Sequence, residues 1–202
     1  MINYLDFKIE CPPEFLPRIG GQSCIPQEID WPKSKDGNPM LHFMAIPTEI
    51  VNEHLGFELP EKHCISLFIP YQPDSIQHVI DLARNNNVAS IFMHPISKEL
   101  RQECSFPLNP AHAIRIDCDH DAEEEDEFSD EIDSKIGGTP VWLQDRISID
   151  HHHFLLQFVG SVFDKYWPSH KGLFMGGIGY VFINTEHLSP GKNLGQLKIQ
   201  FT

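Results

Sequence analysis

No stretch of this 202-residue chain is apolar for long enough to cross a bilayer. The opening Met1-Ile2-Asn3-Tyr4-Leu5-Asp6-Phe7-Lys8 is broken by Asp6 and Lys8 and offers neither a basic leader nor an apolar centre. The expectation is a protein that works in the cytoplasm, with no membrane partner. Cysteine lacks pattern: Cys11, Cys24, Cys64, Cys104 and Cys118 are odd in number and include no Cys-x-x-Cys, which argues against a disulfide framework and against a zinc ribbon. Reduced thiols are expected. Lys and Arg total 15 against 29 Asp and Glu and form no cluster. Phosphate recognition needs a cationic face, so direct nucleic-acid binding is disfavoured. A Gly-x-Ser-x-Gly elbow, a His-Glu-x-x-His pair and a Walker loop are all missing, so the chain leans away from an enzyme and implies no cofactor.

Negative charge is plentiful and concentrated. Eleven carboxylates stand between residues 117 and 133: Asp117, Asp119, Asp121, Glu123, Glu124, Glu125, Asp126, Glu127, Asp130, Glu131 and Asp133, with no Lys or Arg among them. The net charge is -14, and outside this run the carboxylates outnumber the basic residues by only three. The run is too charged to pack and is expected as a solvated loop over 117–133. Its field attracts a cationic partner. The candidate partner-binding residues are Asp117, Asp119, Asp121, Glu123, Glu124, Glu125, Asp126 and Glu127.

The chain is also written twice. Arg18-Ile19-Gly20-Gly21 returns as Lys135-Ile136-Gly137-Gly138, His42-Phe43-Met44-Ala45-Ile46 parallels Phe154-Leu155-Leu156-Gln157-Phe158, and Ile65-Ser66-Leu67-Phe68-Ile69 parallels Gly179-Tyr180-Val181-Phe182-Ile183. Two copies fit halves related by a pseudo-two-fold axis better than a solenoid. The expected organisation is a single domain over 1–202, with half-module 1 over about 15–95 and half-module 2 over about 134–202. Its expected class is α+β, mostly antiparallel sheet with a few short helices.

Local patterns fill in the elements. Met40–Ile46 and Cys64–Ile69 read as buried strands, Pro47–Leu55 as a brief helix, and Asp36-Gly37 as a turn. Ile76, Val79, Ile80 and Ala83 recur at helical spacing and are expected to form the buried stripe of a helix over about 76–85. Val141–Gln144 and Phe154–Phe158 read as strands, Lys165–Pro168 as an aromatic loop, and the glycines from 172 to 179 imply bulges or tight sheet packing.

The basic-Ile-Gly-Gly opening, Ile29-Asp30-Trp31-Pro32, Leu59-Pro60-Glu61-Lys62, Leu155-Leu156-Gln157 and Gly176-Gly177-Ile178-Gly179-Tyr180-Val181-Phe182 resemble the YwqG-like family of bacterial proteins, from about Phe15 to the C-terminus. That family is a domain of unknown function, so the resemblance implies a fold and no activity. Its pattern has Trp-Gly-Asp before the last strand where this chain has Met175-Gly176-Gly177, which removes the polar contact of that Asp.

Two constellations invite a metal. Asp117, Asp119 and Asp121 begin like an EF-hand loop, but Ala122 stands where the turn needs Gly and Phe128 where the closing Glu belongs. Asp150-His151-His152-His153 places adjacent imidazoles on opposite faces of a strand. No metal residues are assigned. The leading expectation is a non-catalytic acidic interaction protein with a basic protein partner, in the manner of an immunity protein that neutralises a basic toxin. One alternative is an enzyme or ligand-binding protein with a cleft between the halves, lined by Trp31, Trp142, Trp167, Tyr166 and His170. The other is a divalent-cation binder that uses the acidic run.

Overall fold

A computed structural model describes residues 2–84, 87–119, 132–186, 188 and 192–201. Two antiparallel sheets carry the architecture, with three short helices, as the α+β class requires. The first sheet uses β2 (Arg18–Ile19), β3 (Leu41–Pro47), β4 (His63–Ile69), β5 (Ser90–Pro95) and β6 (His112–Ala113) in the order β5-β4-β3-β2-β6. The second uses β1 (Ile2–Asp6), β7 (Arg115–Asp119), β8 (Lys135–Ile136), β9 (His153–Val159), β10 (Ile178–Ile183) and β11 (Gly195–Gln200) in the order β11-β10-β9-β8-β1-β7. The helices are α1 (Thr48–Leu55), α2 (Gln77–Ala83) and α3 (Ser161–Tyr166), and a 3-10 turn follows at Pro168–His170.

Alternation along each strand explains what is buried where. On β4, Ile65, Leu67 and Ile69 enter the main core, while Cys64, Ser66 and Phe68 point the other way. Both sheets feed that core, and the ring of Phe43 touches Phe158, Phe163, Trp167 and Phe174 at 5.0–5.6 Å between centroids. The opposite face of the first sheet is also dry, because the strap formed by residues 22–32 crosses it and places Cys24, Ile25 and Trp31 over Cys64, Phe68 and Phe92. The strap is tied by two backbone bonds of 2.9 Å between Ser23 and Arg101, and Arg101 lies over the Trp31 ring at 5.5 Å.

Matching rungs recur in the two sheets. Arg18 and Ile19 stand opposite Ala45 and Met44, while Lys135 and Ile136 stand opposite Gln157 and Leu156. The Gly20 N–H donates to Phe43 O at 2.7 Å, and the Gly137 N–H donates to Leu155 O at 2.8 Å. Gly20, Gly21, Gly137 and Gly138 have φ between 67° and 69°, the left-handed region in which a side chain is strained. The register skips at Phe43 between β3 and β4 and at Leu155 between β9 and β10, and both skipped side chains are wholly buried.

Four local expectations change. The segment 141–144 is not a strand: its N–H groups are taken by side chains, Val141 by Gln157 Oε1 at 2.9 Å and both Leu143 and Gln144 by Gln200 Oε1 at 3.0 and 3.1 Å. Side chains of the sheet's outer face thus replace a ladder. The buried face of α2 is His78, Val79, Asp81 and Leu82, whereas Ile76 and Ala83 are exposed. The His78 ring is bonded to Leu173 O at 2.9 Å, and α2 packs on β11, which together set the helix rotation. Lys165 and Tyr166, expected in a loop, end α3. Finally, the strand before the acidic run continues through Asp119, so Asp117 and Asp119 are strand residues, paired with Tyr4 and Ile2 of β1.

Candidate acidic interaction surface

Among the described residues β7 is the last strand of its sheet, and one side of its backbone has no neighbouring strand there. Charged residues on such an edge prevent pairing with another chain, and here Arg115, Asp117 and Asp119 are exposed while only Ile116 of the five is half-buried. The acidic run leaves from this edge. It returns at Ile132 and exposed Asp133, next to Ser134, whose carbonyl accepts from the Leu5 N–H at 2.7 Å. β1 lies between β7 and β8, so the run leaves the edge strand beside Ile2 and returns two strands in, beside Leu5. Asp121, Glu123, Glu124, Glu125, Asp126 and Glu127 lie outside the described residues.

A recess of about 430 Å³ opens beside the returning end. Phe7, Val159, Val162 and Tyr166 supply apolar wall, and Asp133 and Lys165 supply charge. The Lys165 ammonium sits 5.3 Å from the Tyr166 ring centre. An apolar hollow with charged groups around it has the anatomy of a small protein-docking patch.

The other candidates separate in space. Trp167 is in the main core, Trp31 is in the cluster under the strap, and Trp142 packs against Tyr180 on the outer face of the second sheet. His170 is buried against Tyr71 and Asn109, and Tyr166 lines the recess just described. These five do not line one cleft, since the inward faces of the two sheets share a continuous core. A different cleft of about 330 Å³ takes Lys33, Lys35, His78, Asp81 and Ser90 from the first half and Asn193 from the second. The Asp81 carboxylate there accepts from Gln77 at 3.0 Å and pairs with Lys35 at 3.5 Å.

Sequence reasoning missed one arrangement with the form of a catalytic pair. The Ser66 hydroxyl lies 2.8 Å from His94 Nε2, and His94 Nδ1 lies 2.8 Å from Pro95 O. The carbonyl requires a proton on Nδ1, so Ser66 donates to Nε2. The signal is legible only in the register, which puts Phe92 opposite Ser66 and His94 opposite Cys64 on one face. Both residues have zero exposure, so a substrate has no path to the hydroxyl, and the pair serves packing. Burial holds His94 neutral, its pKa pushed down to about 4. Among the described residues no group of three or more His, Cys, Asp or Glu is placed to hold a metal ion. His151 is exposed beside Glu186 at 3.4 Å, while His153 packs on Phe57.

These features define a two-sheet α+β protein with an acidic sheet edge. The chain belongs to the family described as Domain of unknown function (DUF1963), whose model matches residues 17–192. No curated protein matches it. Among the described residues no helix is long and apolar enough to cross a membrane.

Proposed function

We propose that this chain is a non-catalytic interaction protein that holds a basic protein partner on the acidic edge formed by β7 and the run that follows it. The observation that carries the reading is the exposure of Asp117 and Asp119 where the run leaves the sheet and of Asp133 where it returns beside an apolar recess. Eleven carboxylates steer a cation toward that edge, and the recess takes an apolar side chain once the partner has arrived. The YwqG-like resemblance, a cytoplasmic setting and neutralisation of a basic toxin belong to the same reading. The test is affinity capture from lysate of the source cells with the wild type beside Glu123→Lys, Glu124→Lys, Glu125→Lys and Asp126→Lys combined. A basic partner retained only by the wild type, with the circular dichroism of the two proteins alike, supports the reading. Equal capture by both removes the acidic run from it.

A second reading is favoured by the cleft around Asp81, whose carboxylate and two lysines offer complementary charges to a small zwitterion. It predicts a rise in melting temperature with such ligands and loss of that rise in Asp81→Asn. Calcium binding by the acidic run predicts a rise with calcium instead, and a flat titration disposes of it.

A further inference from the structure

The cleft around Asp81 puts an anion and a cation side by side. Asp81 projects from α2 and Lys35 from a turn of the first half, and the Lys35 ammonium lies 3.5 Å from the Asp81 carboxylate. That turn is closed by two backbone bonds, Ser34 N–H to Asn38 O at 2.8 Å and Gly37 N–H to Ser34 O at 2.9 Å. A charge-assisted hydrogen bond is about 2.7–2.9 Å long. At 3.5 Å, with the Lys35 side chain 67% exposed, the pair is loose and reaches solvent. The Asp81 side chain is only 11% exposed and is held by the Gln77 amide at 3.0 Å. The carboxylate is a fixed part of the wall, and the ammonium is a movable one.

Around this pair the lining is mostly neutral and polar, with Ser34, Gln72, Ser75, Ser90 and Asn193 in it and Met40 as an apolar patch. Asn193 spends its side-chain oxygen on the Ile91 N–H at 2.9 Å, which leaves its NH2 group as a donor. The Ser34 hydroxyl meets no hydrogen-bond partner among the described residues. Polar groups inside a folded chain are nearly always bonded, so an unpaired hydroxyl in the wall of a cleft suits a ligand that carries a polar group. A volume of about 330 Å³ stands at the small end of ligand clefts.

We propose that this cleft binds an α-amino acid with a short, uncharged polar side chain. The inference rests on the second reading above, that the cleft takes a zwitterion, and narrows it. Because the receiving charges are neighbours, the charges of the ligand must be neighbours too, and an α-amino acid carries both on one carbon. Its ammonium displaces that of Lys35 from Asp81 and donates to the carboxylate; Lys35, free to swing because it is exposed, turns onto the ligand's own carboxylate. One loose ion pair is exchanged for two close ones. A diamine would set its second cation against Lys35, and a dicarboxylate would set an anion against Asp81. A γ-amino acid would satisfy one charge and hold the other away from its partner. The side chain then reaches the hydroxyl and amide groups of the surrounding wall.

The test is isothermal titration calorimetry of the full chain with L-serine and L-asparagine, beside γ-aminobutyrate and N-acetyl-L-asparagine, each at millimolar concentration. Binding of one of the two α-amino acids is expected, with affinity about tenfold or more above that for γ-aminobutyrate and for the acetylated compound, which lacks the ammonium. Asp81→Asn and Lys35→Gln are each expected to weaken that binding by about tenfold or more. Lys35→Gln alters an exposed side chain, so it keeps the test sound if Asp81→Asn fails to fold. Binding of γ-aminobutyrate as tight as that of the α-amino acids overturns the inference and leaves the zwitterion reading standing. Undiminished binding by Lys35→Gln overturns the pairing of the ligand carboxylate, and with it the inference. Absence of heat with every zwitterion overturns both readings of the cleft.

Discussion

His42 and His94 are buried on the outer face of the first sheet, and desolvation, aided at His42 by the Arg18 charge, lowers their pKa values to about 3 and about 4. In the unfolded chain each titrates near 6.5. As pH falls below that value the unfolded state gains protons that the folded state refuses, so stability drops with acid, and the loss is complete only below the folded pKa. At pH 5 each histidine costs about 2 kcal/mol relative to pH 8. Urea midpoints measured between pH 8 and pH 5 are expected to fall, and less steeply in His42→Gln, which cannot take up a proton; an unchanged slope in that variant would remove His42 from the account. Glycine gives a second contrast at this scale. A Cβ on Gly179 would stand 2.1 Å from the Phe158 ring, whereas one on Gly37 meets nothing but must accept φ of 81°. Gly179→Ala is expected to cost about 3 kcal/mol or more by overpacking and Gly37→Ala about 1 kcal/mol by strain. Equal denaturation midpoints for the two would show that Phe158 yields freely.

At the scale of elements, α2 shows where reading the sequence succeeds and where it stops. Helical spacing locates the helix, but the stripe Ile76, Val79, Ile80 and Ala83 differs from the buried set His78, Val79, Asp81 and Leu82. The pattern fails because the helix buries polar side chains that have partners: His78 bonds to Leu173 O, and Asp81 accepts from Gln77. Those partners are 95 residues and four residues away, and the distant one leaves no trace in local periodicity. Leu82→Ala should therefore cost about 2–5 kcal/mol, while Ile76→Ser, at a position 52% exposed, should stay within about 0.5 kcal/mol. The reverse order in chemical denaturation would restore the stripe read from spacing. β3, β4, β9 and β10 were legible because their apolar runs are bounded by Pro, Gly and polar turns. The covering segment 141–144 was not, since it is apolar like a strand but its N–H groups donate to the side-chain oxygens of Gln157 and Gln200. Ser66 and His94 were equally hidden: they meet only through the register of β4 on β5.

Across the whole molecule, the common rungs at Arg18–Ala45 and Lys135–Gln157, and the skipped residues Phe43 and Leu155, support the proposal that one half-module is used twice. The acidic run has no counterpart in that scheme, because it joins the halves through strands β7 and β8 on either side of β1. Its effect is a long-range field rather than a contact set, and fields are screened: the Debye length shrinks from about 10 Å at 0.1 M salt to about 3 Å at 1 M. If the run steers a cationic partner, the association rate should fall by about tenfold or more between 0.05 and 0.5 M salt while dissociation changes little. Reversing Glu123, Glu124, Glu125 and Asp126 to Lys shifts the net charge by eight units and should remove most of that dependence. The measurement is a biosensor titration over salt with the captured partner, and with defined-length polylysine as a cationic probe. A rate of association by the partner that ignores salt, or one that the four reversals leave unchanged, would mean that recognition lies in the apolar recess around Phe7, Val162 and Tyr166 and that the charge serves only to keep the sheet edge from pairing.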